Sequence, residues 1–361
     1  MSGISSRKSD HVRITLEEDV EMGGTGLDCV RFVHRALPEL NAGEIDTGVE
    51  IMGKCLDIPL MISAMTGGYE GAKRLNVALA TAAQENGMAF GLGSMRAMIE
   101  HPSMSDTYCI RDVAPDVLIF GNIGLPQLLA RKFDPILDAM EDVDADAVAV
   151  HLNALHEATQ PEGDSIFSGG LAAIEDFSSS CSLPVVVKET GGGISKEVAD
   201  SLLKVGIQWI DVGGYGGTSF AAVERHRSSG PGAILAESLS SWGIPTAASV
   251  AEVVQTEGLR TIASGGIRDG LDAAKCLSLG AECAGMASPF LKALEEGKDR
   301  LAVFIELLRR QITSAMLLTG SENVGELRRS DLVLGGWLRN WLEDRGIDPA
   351  SFSNRSTSEG S

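Results

Sequence analysis

The stretch TIASGGIRDGLDAAKCLSLGAECAGMAS, Thr261–Ser288, reads as one complete strand–helix–strand unit. Thr261–Ile267 is a short apolar run broken by two glycines, Leu271–Leu279 has its apolar residues at helical spacing, and Cys283–Ser288 is a second apolar run. Toward the N-terminus the same alternation recurs. Further strands are predicted at Pro59–Met65, Met88–Met95, Val117–Gly124, Ala147–Asn153, Pro184–Thr190 and Trp209–Tyr215. Helical stretches lie between them at Ala72–Glu85, Pro126–Met140, Lys196–Val205 and Ala248–Glu257. Eight strands alternating with helices predict an α/β fold of the (β/α)8 TIM barrel type. A doubly wound open sheet is the rival. It would place one glycine fingerprint at its first strand, whereas glycine-rich loops here follow several strands.

Residues 1–58 form a polar N-terminal extension with one short helix or hairpin, and residues 59–345 hold the barrel with C-terminal helices over 299–345. Residues 346–361 are expected to be a disordered, Ser-rich tail. The 42 glycines among 361 residues exceed the roughly 7% of average usage, as many tight turns and close backbone–ligand approaches require. Fifty acids against 30 bases leave a net charge of −20, which argues against nucleic acid as a partner. No apolar run is long enough to span a membrane, and no apolar signal sequence follows Arg7, Lys8 and Arg13. The six cysteines are scattered without paired spacing, so neither disulfides nor a zinc framework is expected. These features predict a cytoplasmic protein.

In a barrel of this type, ligands bind at the C-terminal ends of the strands. Those ends read Ala64-Met65-Thr66, Ser94-Met95-Arg96, Asn122, His151-Leu152-Asn153, Lys188-Glu189, Gly213–Thr218, Ser264–Arg268 and Ala287-Ser288. Glycine loops after strands 7 and 8 suit phosphate, because bared N–H groups converge on its oxygens. Lys188 closes an apolar strand, where an ammonium is costly without an anion, and a reduced flavin ring is one such anion. His151 and Asn153 share a strand face, and the chain then turns through His156, Glu157, Glu162 and Asp164. A carboxylate beside phosphate calls for a hard cation, so Glu157 is a candidate Mg²⁺ ligand. Arg7-Lys8-Ser9-Asp10-His11 is a cationic cluster in an acidic chain, suited to clamp a diphosphate.

Together these segments resemble the type 2, FMN-dependent isopentenyl diphosphate isomerases. The similarity runs from Arg7 to Pro289 through Arg7-Lys8-x-Asp10-His11, PLMISAMTGG (Pro59–Gly68), GSMR (Gly93–Arg96), Asn122-Ile123-Gly124, His151-x-Asn153, Pro161–Asp164, Lys188-Glu189, GGYGGTSF (Gly213–Phe220) and SGGIRDG (Ser264–Gly270). The resemblance implies an FMN barrel that interconverts isopentenyl and dimethylallyl diphosphates, with Mg²⁺, NAD(P)H as reductant and a tetrameric or octameric assembly. It assigns substrate contacts to Arg7, Lys8, His11, Ser94, Arg96, His151, Asn153 and His156. FMN contacts fall to Ala64, Met65, Thr66, Ser94, Asn122, Lys188, Thr218, Gly266, Ile267, Arg268, Ala287 and Ser288. Lys188 and His156 would act in catalysis and Glu157 would hold the metal, while residues 1–58 would cap the substrate. One departure stands out: His156 occupies a position where the family usually has glutamine.

Two other functions fit a flavin barrel. A 2-hydroxy-acid oxidoreductase needs a histidine base after strand 6, but Gly213–Thr218 has none and His226 lies well beyond, in a polar stretch read as loop. A non-catalytic flavin- or diphosphate-binding protein is the other, and the His156 substitution makes it conceivable.

Overall fold

All eight predicted strands form, and they close into one parallel barrel. In chain order they are β1 Leu60–Ile62, β2 Ala89–Gly91, β3 Ile119–Gly124, β4 Ala147–Leu152, β5 Val185–Glu189, β6 Trp209–Asp211, β7 Arg260–Ser264 and β8 Cys283–Met286. Each pairs with its neighbours in sequence, and β8 pairs with β1 to complete the circle. The computed structural model describes residues 3–160, 163 and 166–355, with side chains from residue 8 onward.

Strand alternation sorts side chains into two sets. Val148, Val150, Val187 and Ile210 point outward and pack with the surrounding helices in the main core. Met61, Ala89, Phe120, Ala147, Val186, Trp209, Ile262 and Cys283 form a separate cluster, the layer that fills the barrel interior. Positions two or four residues further along face the same way. That parity puts Ser63, Asn122, His151, Lys188, Asp211 and Ser264 inside the barrel, at its C-terminal end. The other end is plugged by an antiparallel hairpin, Val49–Ile51 with Lys54–Leu56, whose Ile51 and Leu56 join the interior cluster.

The N-terminal extension therefore contains both a helix, Gly3–Glu17, and a hairpin. After the helix the chain is fastened to the loop following β6: the Ser219 N–H donates to the Val20 carbonyl (2.8 Å) and the Met22 N–H to that of Gly217 (3.3 Å).

Three expectations need correction. The stretch Pro126–Met140 is two helices, Leu125–Leu129 and Asp134–Asp142, because Arg131 adopts a left-handed φ of 52° and Pro135 starts the second. Residues 299–345 are not wholly helical: Leu332–Leu334 is a strand, paired antiparallel with Val30–Phe32. Leu332 and Leu334 face the core while Val333 is exposed, an alternation too short to register in sequence. Order also continues past 346, since Pro349–Phe352 forms a 3₁₀ turn with Phe352 buried; residues 356–361 lie outside the described ones. No helix among the described residues is long and apolar enough to cross a membrane.

Candidate active site

The polar end of the barrel interior opens into a cavity of about 300 Å³, bounded by loops after all eight strands and by the N-terminal helix. Nearly every residue singled out in the sequence borders it, although those residues span the chain from Lys8 to Ser288. Arg7 is the exception, because its side chain lies outside the described residues, as do Glu162 and Asp164.

At the floor, strand register aligns Gly124, His151, Lys188 and Asp211 side by side on β3, β4, β5 and the end of β6. His151 Nδ1 meets Asn122 Oδ1 at 2.8 Å, and the Asn122 amide donates to the Leu92 carbonyl at 3.0 Å. Burial, reinforced by the Lys188 charge, pushes the His151 pKa down to about 3, so its ring is neutral. Lys188 Nζ donates to the Glu189 carbonyl at 2.9 Å. Asp211 accepts from Ser264 Oγ at 2.5 Å; burial raises its carboxyl, with the Lys188 charge opposing. Burial likewise pushes Glu189 up to about 7, against the N–H groups of Gly192, Gly191 and Thr190 that its Oε2 accepts. That single carboxylate oxygen shapes the loop after β5.

On the wall, the glycine loops pack backbone to backbone. A Cβ on Gly265, which has φ +104°, would collide with the Gly214 main chain, and one on Gly217 would strike Gly266 N. Their glycines are thus required first for loop-on-loop contact, and only then for exposing N–H groups. Ile267 is buried in the core and also borders the cavity. Arg268 does not extend freely: it pairs with Glu21 at 2.8 Å, as does Lys292 at 3.2 Å. Although burial alone would raise the Glu21 carboxyl, these two cations hold it below its usual value. Ser288 opens the helix Ser288–Glu295, and its buried Oγ, like Ser63 Oγ and Asn153 Oδ1, meets no hydrogen-bonding group among the described residues.

The N-terminal helix borders the cavity through Lys8, His11, Val12 and Thr15. Lys8 Nζ donates to the Ser94 carbonyl (2.6 Å) and to Tyr108 Oη (2.9 Å). Tyr108 Oη in turn donates to the same carbonyl at 2.7 Å. One turn on, His11 Nε2 meets Glu224 Oε1 at 3.0 Å; His156 Nε2 meets the same oxygen at 3.0 Å. Arg227 donates to Glu224 Oε2 at 2.6 Å. The His156 ring stacks on Phe220 with centroids 4.5 Å apart. Burial alone would raise the Glu224 carboxyl, but the bonds from both histidines and Arg227 hold it far below the usual carboxylate range. Glu157 accepts from Asn153 Nδ2 at 2.6 Å, and Arg96 pairs with Glu100 at 2.6 Å on the rim.

Glu224 and Tyr108 were not singled out in the sequence. Glu224 does carry a signal: it ends the buried run Ala221-Ala222-Val223 at full burial, where a charge needs partners. Tyr108 carries none, being buried by contacts distant in sequence. His226 lies in the helix Phe220–Arg227, not in a loop, is bonded to Arg225 and does not border the cavity.

Residues 141–334 match the family of FMN-dependent dehydrogenases. Over nearly its whole length the chain is 45% identical to the isopentenyl-diphosphate delta-isomerase of Archaeoglobus fulgidus, covering 95% of this chain and 99% of that protein. The same-named proteins of Pyrococcus furiosus (45%, covering 96% and 90%) and Halobacterium salinarum (44%, covering 94% and 96%) are similarly close. The chain belongs to the isopentenyl-diphosphate delta-isomerase family. Its fold is shared with mandelate oxidase, at a TM-score of 0.62 and 20% identity over 90% of this chain and 95% of that one. The site of this isomerase-family chain suits FMN: orphaned Ser288 Oγ and Ser63 Oγ lie beside the two glycine loops, and an ammonium stands on the floor.

Proposed function

We propose that this chain interconverts isopentenyl diphosphate and dimethylallyl diphosphate, using FMN reduced by NAD(P)H together with Mg²⁺. The observation that carries the reading is the lid, where a lysine-bearing helix borders a cavity whose floor presents Lys188 and a neutral His151. When bound, reduced FMN would supply electron density and a proton-bearing ring nitrogen. The protein's own work is to hold charge, orient substrate and keep water out, because the tertiary carbocation formed by protonating the alkene would be trapped by water.

Ala64, Met65, Thr66, Ser94, Asn122, Thr218, Gly266, Ile267, Arg268, Ala287 and Ser288 are assigned to the cofactor. Lys188 is assigned its negative ring. Arg7, Lys8, His11, Ser94, Arg96, His151 and Asn153 are assigned to the diphosphate end of the substrate, under a cap formed by residues 1–58. His156 is assigned a place beside substrate as a hydrogen-bonding group, because its Nε2 is already committed to Glu224. A cytoplasmic location and a homo-oligomeric assembly complete the proposal.

The direct test is anaerobic incubation of the FMN-loaded protein with isopentenyl diphosphate, Mg²⁺ and NADPH, followed by NMR. Dimethylallyl diphosphate should accumulate, and none forming while the flavin is bound and bleached overturns the reading. Glu157→Gln should raise the Mg²⁺ concentration for half-maximal activity at least about 10-fold, since a neutral amide replaces the anionic ligand. An unchanged magnesium titration would move the metal elsewhere. Lys8→Ala should raise KM by about 10-fold or more while FMN stays bound, the effect of losing one charged hydrogen bond. A parent-like KM would make Lys8 a tether for the lid and nothing more.

A further inference from the structure

We propose that His11, His156 and Glu224 form a binding site for a borderline divalent transition-metal ion of the Zn²⁺ class, separate from the Mg²⁺ position assigned to Glu157. The three ligand atoms, two imidazole Nε2 and one carboxylate oxygen, lie within 4.8 Å of one another. Each nitrogen stands 3.0 Å from Glu224 Oε1. Ligands about 2.1 Å from a tetrahedral ion sit about 3.4 Å apart, so a shift of roughly 0.4 Å in each nitrogen–oxygen spacing would match that geometry.

The donor set matches the ion class. Two imidazoles and one carboxylate suit Zn²⁺, whereas Mg²⁺ prefers oxygen ligands and keeps its waters. The second carboxylate oxygen of Glu224 is fixed by Arg227 at 2.6 Å, which orients the first toward the histidines. Phe220 braces both rings, stacked on His156 and edge-on to His11 with centroids 5.8 Å apart. Both histidines border the cavity, and Glu224 lies behind them.

The three ligands come from separate places: the N-terminal helix, the short helix Ala154–Thr159 after β4, and the helix Phe220–Arg227 after β6. A bound ion would therefore staple the lid to the barrel. His156 completes the set, since a glutamine at that position would leave one imidazole and one carboxylate.

The test is equilibrium dialysis of the FMN-loaded protein against Zn²⁺ with Mg²⁺ in large excess, followed by metal analysis. One equivalent per chain should be retained, and affinity should fall at least about 10-fold in both His156→Gln and His11→Gln. No retained zinc, or unchanged affinity in either variant with its FMN still bound, overturns the proposal. The parent loaded with Co²⁺ offers a check that needs no variant. Its proton NMR spectrum should show two hyperfine-shifted, exchangeable imidazole N–H signals, and one or none would overturn the assignment.

Discussion

Lys188→Ala is expected to lower turnover by about 10²- to 10³-fold, the usual effect of removing one preorganised electrostatic contact from a closed site. Lys188 reaches the barrel interior through strand parity and is steadied by the Glu189 carbonyl at 2.9 Å. On the neighbouring strand, Asp211 is buried and hydrogen-bonded to Ser264, so removing the ammonium also strips that carboxylate of the Lys188 charge acting on it. The variant should bind FMN more weakly, and protonation of the reduced ring should shift to higher pH. Stopped-flow reduction and spectral titration of the reduced protein measure both. Parent-like turnover with full FMN occupancy would show that Lys188 only lines the site.

Glu224→Ala is expected to destabilise the lid more than any other single change. Its side chain is fully buried and accepts bonds from His11, His156 and Arg227 at once. Truncation leaves three donors facing one another without an acceptor, at a cost of about 2 to 4 kcal/mol. The thermal midpoint should fall by about 3 to 5 °C, and proteolysis within Gly3–Glu17 should accelerate. Glu224→Gln, which keeps a carbonyl acceptor, should recover part of the loss. A midpoint unchanged in Glu224→Ala would mean that Lys8 and the Val20–Ser219 contact secure the helix alone.

Much of the catalytic end was legible because barrel chemistry is local to strand ends. Lys188 stood out as a charge at the end of Pro184–Val187, and His151 with Asn153 by their shared parity; the structure places all three on the cavity. The glycine loops were visible too, but the contacts between them were not. Gly265 and Gly217 are glycine because another main chain touches them, and no local signal says which chain that is.

The periodicity of eight apolar runs and the helices between them was sufficient for the barrel, since each run is long enough to declare its own period. Leu332–Leu334 was not, being three residues whose partner, Val30–Phe32, lies at the other end of the chain. The partners of Glu224 were equally out of reach. His11, His156 and Glu224 are separated by 145 and 68 residues in sequence, yet their polar atoms converge on one oxygen. Sequence alone determined which residues would face the barrel mouth, because that follows from strand parity. Only the tertiary structure decided which of them pair with each other, because burial removes water as the alternative partner and makes every neutralising contact depend on where distant segments meet.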